Sequence, residues 1–137
     1  MIVQLVYIST HSGDRIDNIP DFLLDAYASN FKNGITSIIL TSNEYYLHVI
    51  EGSRCSVNKL YNRICKDIHH TDCCILRYAE IPKPEFPDCV MVFSNIHDFI
   101  IDGINSIGNI DKFRPEVINA SSAMALLRRA AAHHRAS

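Results

Sequence analysis

The sequence predicts an α+β fold in which two helices pack on one face of a five-stranded mixed sheet. Five short segments are rich in β-branched and aromatic residues, as strands are. Two further segments repeat their apolar residues with the period of a helix. The segments follow one another in the order β-α-β-β-α-β-β, and a length of 137 residues suits one domain with a single core.

Composition narrows the function classes. Hydrophobic residues make up 47% of the chain and charged residues 20%, which is typical of a globular protein. The net charge of −2, with no Lys/Arg-rich run in residues 1–110, argues against nucleic acid or an anionic membrane as a partner. There is no run of about 18 apolar residues and no secretion signal. The odd number of five cysteines predicts reduced thiols in a cytoplasmic protein.

The first strand and the first helix come from the N-terminal third of the chain. Ile2–Ser9 alternates as a strand does, and Val3, Leu5, Tyr7 and Ser9 share one face. A helix is predicted from Pro20 to about Phe31, since proline suits the first helical turn. Leu23, Ala26, Tyr27 and Asn30 fall on one stripe of this helix. Asn30 therefore ends an otherwise apolar face.

The remaining strands and the second helix follow in the same way. Ile35–Thr41 and Tyr45–Glu51 are separated by a short polar turn and predict a hairpin. Ser56–Ile68 carries the most regular helical pattern in the chain. Cys74–Ile81 and Cys89–Ser94 are the fourth and fifth strands, with a proline-rich loop between them.

This element order is the ferredoxin-like arrangement with one added strand, and it leaves a slot between the two helices. A flat aromatic ligand needs an apolar slot with a few placed donors and acceptors, and Asn30, Arg63 and Asp67 supply such groups at the helix ends. Three strand residues also lie on the same face of their strand as neighbours that are expected in the core. They are Tyr7 with Val3 and Leu5, His48 with Tyr46 and Ile50, and Met91 with Cys89 and Phe93.

The predicted domain covers residues 1–95, followed by an extension over 96–120 with a short helix at 98–107. Residues 121–137 change abruptly to Ala, Arg and His. We expect this tail to be an expression-derived or weakly ordered extension, with a basic helix as the alternative. It is therefore left out of the functional argument.

Five segments, in order and with preserved spacing, make residues 2–94 resemble a BLUF domain, the family of blue-light sensors that use flavin. "LVYIS" is similar to the family's first strand, and "NFKNGITSIIL" to its N-x3-4-[IV]-T-G segment. "YLHVIEG" is similar to F-F-Q-x-L-E-G, "YNRICKDIHH" to R-I-x-x-D-x-x-H, and "FPDCVM" to F-x-x-W-x-M.

The resemblance implies a flavin, usually FAD, held edge-on between the two helices, with FMN or an empty site as alternatives. Tyr7 and His48 would carry the photochemistry, which is not enzymatic. The implied cofactor contacts are Tyr7, Asn30, His48, Arg63, Asp67, His70 and Met91. Among them, Tyr7 donates the electron and proton, Asn30 meets the polar ring edge, and Met91 reports the change to the other face of the sheet.

Four residues depart from the family pattern. His48 stands where the family has its central glutamine, whose amide flip is the family's switch. A neutral imidazole also offers one donor and one acceptor, but it cannot exchange their ends as an amide does. Ser37, His69 and Cys89 replace a glycine, an arginine and a frequent tryptophan. The normal light response is therefore in doubt.

Each candidate residue also has a purely structural interpretation. Tyr7 and His48 could be hydrogen-bonded core residues, and Met91 could simply pack in the core. Asn30 could cap its helix, and Arg63 with Asp67 could be a solvated pair. The run "CKDIHHTDCC" contains zinc-type ligands, but its spacing matches no familiar metal site.

The leading hypothesis is a flavin-binding sensor that is not itself an enzyme and passes its signal to an unknown protein partner or by self-association. The alternative is a flavin-free, BLUF-like module that serves protein interaction, which His48 favours. A small hydrolase such as an acylphosphatase is disfavoured, because "THSGDRID" lacks the needed phosphate loop.

Overall fold

The computed structural model describes residues 1–11, 30, 32–42, 44–66, 70–90, 92–95 and 114–136. The described strands are β1 (Ile2–His11), β2 (Thr36–Thr41), β3 (Tyr45–Ser53), β4 (His70–Ile81) and β5 (Val92–Asn95). The described helices are α1 (Arg54–Lys66) and α2 (Ala120–Ala136). Most of the first predicted helix and all of the predicted 98–107 helix lie outside these residues.

The five strands form one mixed sheet in the order β4-β1-β3-β2-β5. β1 lies between β3 and β4 and runs antiparallel to both, and β2 and β3 form the predicted antiparallel hairpin. β5 is parallel to β2, which makes the sheet mixed. This is the ferredoxin-like α+β arrangement with an added edge strand, as the sequence predicts.

Strict alternation along the strands divides the core between the two faces of the sheet. One face, here called the Tyr7 face, carries Val3, Leu5, Tyr7, His48 and Ile50, all buried. The other, the Glu51 face, carries the buried residues Val6, Ile8, Ile38, Leu40, Leu47, Val49 and Glu51. The central strands are therefore covered on both sides.

Helix α1 packs on the Tyr7 face. Its buried residues, Val57, Leu60 and Ile64, recur at helical spacing and join the cluster that contains Leu5 and Tyr7. On the same face, Gly52 leaves room for the Ile35 side chain, since a Cβ at position 52 would lie 3.2 Å from Ile35 Cγ1.

The helix that precedes β2 ends in a glycine cap. Asn30, Lys32 and Asn33 are helical, and Gly34 takes a left-handed φ of 68°. The Ile35 amide donates to the Asn30 carbonyl at 2.9 Å, which is the six-to-one bond of a Schellman motif. Gly34, rather than Asn30, is therefore the residue in the left-handed cap position.

The expectation of a weakly ordered tail is wrong, because residues 120–136 form α2 and α2 packs on the Glu51 face. Its buried residues are Ala123, Met124, Leu126, Leu127, Ala130 and Ala131. Asn119 Oδ1 caps the helix by accepting from the Ser122 amide at 2.8 Å. Small alanines let this helix lie close to the sheet, so the composition that suggested an appended tail is that of a packing helix.

The prediction that Cys89 lies on a strand, on the same face as Met91 and Phe93, is also wrong. β5 begins at Val92, so the alternation of the strand does not reach back to Cys89. Cys89 is instead buried in the core of the Glu51 face, and its carbonyl accepts from the Ser37 amide at 2.7 Å. Met91 lies outside the described residues.

Candidate functional site

Tyr7 and His48 form a buried hydrogen-bonded pair at the centre of the sheet. They are directly opposite each other in the antiparallel β1–β3 pair, which brings their side chains onto the same face. The Tyr7 hydroxyl lies 2.7 Å from His48 Nδ1, and the two ring centroids are 5.3 Å apart. The imidazole on this apolar strand is therefore held by a phenol, as the sequence predicts for a core histidine.

Tyr7 remains a neutral phenol over the physiological range. Its complete burial raises its pKa well above 10.0, because the phenolate would lose its hydration. The phenol donates to Nδ1 when the imidazole carries its proton on Nε2, and accepts from Nδ1 in the other tautomer. The pair can therefore pass a proton between oxygen and nitrogen across one short contact.

Tyr61 is a contact of Tyr7 that the sequence did not single out. Its ring meets the Tyr7 ring edge-on, with centroids 5.3 Å apart and an interplanar angle of 65°. Tyr61 follows Leu60 on α1, within the segment whose regular helical pattern predicted this helix. That pattern was the signal in the sequence that could have pointed to Tyr61. Burial is the main reason that the pKa of Tyr61 is raised above its ordinary value.

Asn30 carries a buried amide beside α1. Its side chain is 1% exposed, and neither Oδ1 nor Nδ2 has a hydrogen-bond partner among the residues that the structure describes. Leaving one such group buried and unpaired costs about 1–3 kcal/mol, so native proteins rarely do so. An adjacent donor and acceptor of this kind fit the edge of a ligand ring that presents a carbonyl beside an N–H.

A pocket of about 180 Å³ joins Asn30 to α1. It is lined by Asn30, Asn33, Ile35, Ser56, Lys59, Leu60 and Arg63. Two predicted contacts, Asn30 and Arg63, thus lie on one pocket. Lys59 was not predicted, although its position one turn before Arg63 places it on the same side of the helix. The buried residues of its lining are Asn30, Ile35 and Leu60, and the exposed ones include two cations, a mixture that suits a flat ligand with polar substituents.

Ser9 and Ser37 add small polar groups to the Tyr7 face. Ser9 is buried opposite Tyr46, and no described residue hydrogen-bonds to its Oγ. Ser37 is buried opposite Ile50. The sequence placed Ser9 on the face of Tyr7 without giving it a role, and the unpaired hydroxyl is the observation that marks it.

Three predicted contacts are not placed by the structure. Asp67 and Met91 lie outside the described residues. His70 begins β4 and pairs with His11 in the register of the sheet, but only its backbone position is described. Within the described part of the chain, no group of three or more His, Cys, Asp or Glu side chains could hold a metal ion. No described helix is long and apolar enough to cross a membrane.

Comparison with known proteins places this geometry in a family. The profile of the BLUF family, "Sensors of blue-light using FAD", matches residues 2–92. BlrB, a BLUF protein solved in its dark state, superposes with a TM-score of 0.71 at 26% identity, and the match covers 96% of each chain. The photo-activated state of BlsA superposes with a TM-score of 0.76 at 24% identity, over 96% of this chain and 95% of that one.

Longer proteins match as well. BlrP1 of Klebsiella pneumoniae superposes with a TM-score of 0.66 at 28% identity, and the match covers 75% of this chain but 26% of BlrP1. A bacterial light-regulated adenylyl cyclase matches with a TM-score of 0.65 at 23% identity, over 99% of this chain and 35% of that one. The match therefore spans about a quarter to a third of these longer proteins. No match was found among curated proteins. The profile match over two thirds of the sequence shows that this chain belongs to the BLUF family of flavin-based blue-light sensors.

Proposed function

We propose that this chain binds a flavin beside α1 on the Tyr7 face, with Tyr7 and His48 at the reactive margin of the ring. The single observation that carries the proposal is the buried Asn30 amide, which lines the same pocket as Arg63 and whose two polar atoms have no hydrogen-bond partner in the described part of the chain. A flavin ring edge, with a carbonyl beside an N–H, supplies the two missing partners. The bound flavin would supply the absorption of blue light and the capacity to accept an electron.

Tyr7 is the electron and proton donor in this proposal. Burial keeps its proton on the phenol until an electron leaves, because an uncharged phenol is the stable form in this environment. Loss of an electron makes the phenol proton strongly acidic, and His48 Nδ1 lies 2.7 Å away to receive it when unprotonated. The pair thus moves charge without exposing it to water.

His48 alters the switch that follows. A glutamine amide can present its donor and its acceptor at exchanged ends after a flip, whereas a ring nitrogen that loses its proton simply becomes an acceptor. We propose that the light-induced red shift of the family is weak or absent here. A His48→Gln variant is expected to move towards the family's normal light response.

The pocket rim would hold the polar parts of the cofactor. Lys59 and Arg63 are exposed cations four residues apart on α1, and both line the pocket. Cations at this spacing favour a carbonyl or phosphate oxygen between them. By the same resemblance we propose that Asp67, like Arg63, contacts the ring carbonyl or the ribityl chain of the flavin. His70 would help to close the site, and Met91 would report the change in hydrogen bonding to the Glu51 face.

The cofactor we propose is FAD, the flavin in the family description, with FMN as the alternative. A BlrP1 structure is described with FMN, so this fold accepts the shorter flavin as well. The groups that would meet an adenosine half are not identified. A comparison of FAD and FMN uptake decides between them.

The signal, in this proposal, leaves through protein contacts, either to a partner or by self-association in the cytoplasm. No enzymatic activity is assigned to the chain. Helix α2 covers the Glu51 face, opposite the site, and so lies between Tyr7 and anything docked on that side.

A second candidate function is a flavin-free interaction module. The observation that favours it is the Tyr7–His48 hydrogen bond, which satisfies the phenol within the protein. In that case His48→Gln would leave partner binding unchanged.

The experiment is a reconstitution of the purified chain with FAD and, separately, with FMN, followed by desalting and measurement of the retained flavin absorbance. We expect retention by wild type and an affinity about tenfold to a hundredfold lower for Asn30→Ala, since a buried hydrogen-bonding group is worth about 1–3 kcal/mol. Asn58→Ala is the matched control, because Asn58 is an exposed asparagine of α1 outside the pocket lining. Failure of the folded wild type to retain either flavin would overturn the proposal and favour the interaction module.

A further inference from the structure

Two aromatic rings contact the ring of Tyr7. The His48 ring, on β3, lies at a centroid distance of 5.3 Å, and the Tyr61 ring, on α1, lies at the same distance. Both meet Tyr7 edge-on, with interplanar angles of 61° and 65°. Tyr7 therefore touches its hydrogen-bond partner on one strand and a second phenol on the helix that packs over it.

The position of Tyr61 follows from the stripe that packs α1 on the sheet. The buried residues of this helix are Val57, Leu60 and Ile64. Tyr61 lies four residues after Val57 and three before Ile64, which places it on the same side of the helix. It packs against the cluster that contains Tyr7 but remains partly exposed. Tyr61 is thus the aromatic neighbour that joins the buried Tyr7 to the protein surface.

The composition of the chain makes this contact a route for oxidation. Tryptophan, tyrosine and cysteine are the side chains that lose one electron most readily, and the chain contains no tryptophan. An imidazole ring is much harder to oxidise than a phenol. Of the two rings that the described part of the chain places against Tyr7, Tyr61 is therefore the one that can replace an electron that Tyr7 has lost.

We propose that Tyr61 is a secondary electron donor, which reduces Tyr7 after light has oxidised it. The inference rests on the proposed function, because Tyr7 must first give an electron to a bound flavin. The contact between the two rings supplies the path for the electron, and the partial exposure of Tyr61 supplies an outlet for its proton. The oxidised residue is then one that small solutes can reach.

The step balances in electrons and protons. After the first transfer, Tyr7 is a neutral phenoxyl radical, and the phenol proton lies on His48 Nδ1, 2.7 Å away. One electron passes from Tyr61 to Tyr7, and the proton on Nδ1 returns to the Tyr7 oxygen. Tyr61 releases its own phenol proton to water and becomes the neutral radical. An external reductant such as ascorbate restores Tyr61 by supplying one electron and one proton.

Burial favours the radical on Tyr61. Tyr7 is completely buried and His48 is 1% exposed, so the proton that Tyr7 gives up stays in the core as the charge of an imidazolium. A charge without hydration is costly there. Transfer to Tyr61 removes that charge, because the proton on His48 returns to Tyr7 and the proton of Tyr61 goes to water.

The test illuminates the FAD-reconstituted, desalted chain with blue light in the presence of a nitroso spin trap, then maps trap adducts on peptides by mass spectrometry. We expect an adduct on Tyr61 in wild type and none in the dark. Tyr7→Phe should abolish the Tyr61 adduct although Tyr61 itself is unchanged, because the first electron donor is gone. Tyr61→Phe keeps the ring, and there the adduct should be lost without appearing on Tyr78.

Tyr78 is the control for unspecific labelling. It is 40% exposed on β4, and no ring contact between described residues joins it to Tyr7. Equal adducts on Tyr61 and Tyr78, a Tyr61 adduct that persists in Tyr7→Phe, or a flavin-bearing wild type without an adduct on Tyr61 would overturn the proposal. Loss of FAD on desalting would instead overturn the proposed function, and this donor role with it. If Tyr7→Phe does not fold, the comparison of Tyr61 with Tyr78 in wild type still decides.

Discussion

Replacing Tyr7 with phenylalanine tests the hydrogen bond at the centre of the site. The substitution keeps the ring, its burial and its contact with Tyr61, and removes only the hydroxyl that lies 2.7 Å from His48 Nδ1. His48 is 1% exposed, so water cannot readily replace the lost group at Nδ1. The change therefore removes a buried polar contact while leaving the shape of the core almost unaltered.

The expected cost is about 1–3 kcal/mol, the usual penalty for removing one partner from a buried polar pair. For a small protein with a urea m-value of about 2 kcal/mol/M, this cost lowers the midpoint of unfolding by about 0.5–1.5 M. Tyr78→Phe is the matched control, since the Tyr78 hydroxyl donates to Asn58 Oδ1 at 3.3 Å in an exposed position. There the cost should stay below about 0.5 kcal/mol.

The assay is urea unfolding followed by circular dichroism on both variants and wild type, under reducing conditions and without added flavin. The m-value should be unchanged, because neither substitution alters the buried surface appreciably. Equal midpoints for Tyr7→Phe and Tyr78→Phe would refute the reasoning, since they would mean that the buried contact contributes no more than an exposed one.

Three further predictions concern the helix α2, a buried carboxylate and alkaline pH. Leu127→Ala should lower the free energy of unfolding by about 2–5 kcal/mol, because Leu127 is fully buried between α2 and the sheet. A loss of less than about 1 kcal/mol in urea unfolding would show that α2 does not pack on the Glu51 face. Glu51→Ala should lower the free energy of unfolding by about 3 kcal/mol, since the buried carboxylate accepts from Gln4 Nε2 and from two backbone amides. Glu80→Ala, which removes an exposed ion pair, should leave the stability nearly unchanged, and similar losses for both variants would contradict this. The free energy of unfolding, measured in reductant, should fall as pH rises from 9 towards 12, because the pKa of Cys73 is raised from 9.0 to about 12 in the folded state and the thiol of the unfolded chain ionises first. Cys73→Ala should make this fall with pH less steep, and an unchanged pH dependence would count against the burial of this thiol.

Much of the fold could be predicted because its elements carry strong local patterns. Alternation in Ile2–Ser9 placed Tyr7 with Val3 and Leu5, and the structure puts all three in one cluster. The short turn between the second and third strands has one simple outcome, a hairpin, and β2 and β3 pair as expected. Alternation also placed His48 on the core-directed face of its own strand, and the register of the β1–β3 pair is what puts it directly opposite Tyr7.

Other features depend on packing that a local pattern does not contain. The alanines of α2 carry little hydrophobic signal, and their role becomes visible only against the Glu51 face. The middle and the C-terminal end of α2 are joined to the 85–88 loop by two ion pairs, Arg128 with Glu85 and Arg135 with Asp88. Each pair connects residues more than forty positions apart in the sequence. Local sequence patterns do not predict contacts between positions so far apart.

The candidate site also combines features that local patterns predict with features that depend on packing. Asn30 was predicted from its stripe and from the family resemblance, but its lack of a hydrogen-bond partner among the described residues is a fact of three-dimensional packing. Tyr61 lies within the second predicted helix, yet its edge-on contact with Tyr7 depends on the position of α1 on the sheet.

The most direct measurement is the absorption spectrum of the FAD-reconstituted, desalted wild-type chain before and after blue light. We predict a flavin band that survives desalting, and a light-induced red shift that is weak or absent in wild type and larger in His48→Gln. Loss of the flavin band on desalting would contradict a cofactor held beside Tyr7 and Asn30. A full and reversible red shift in wild type would instead contradict the role given to the imidazole.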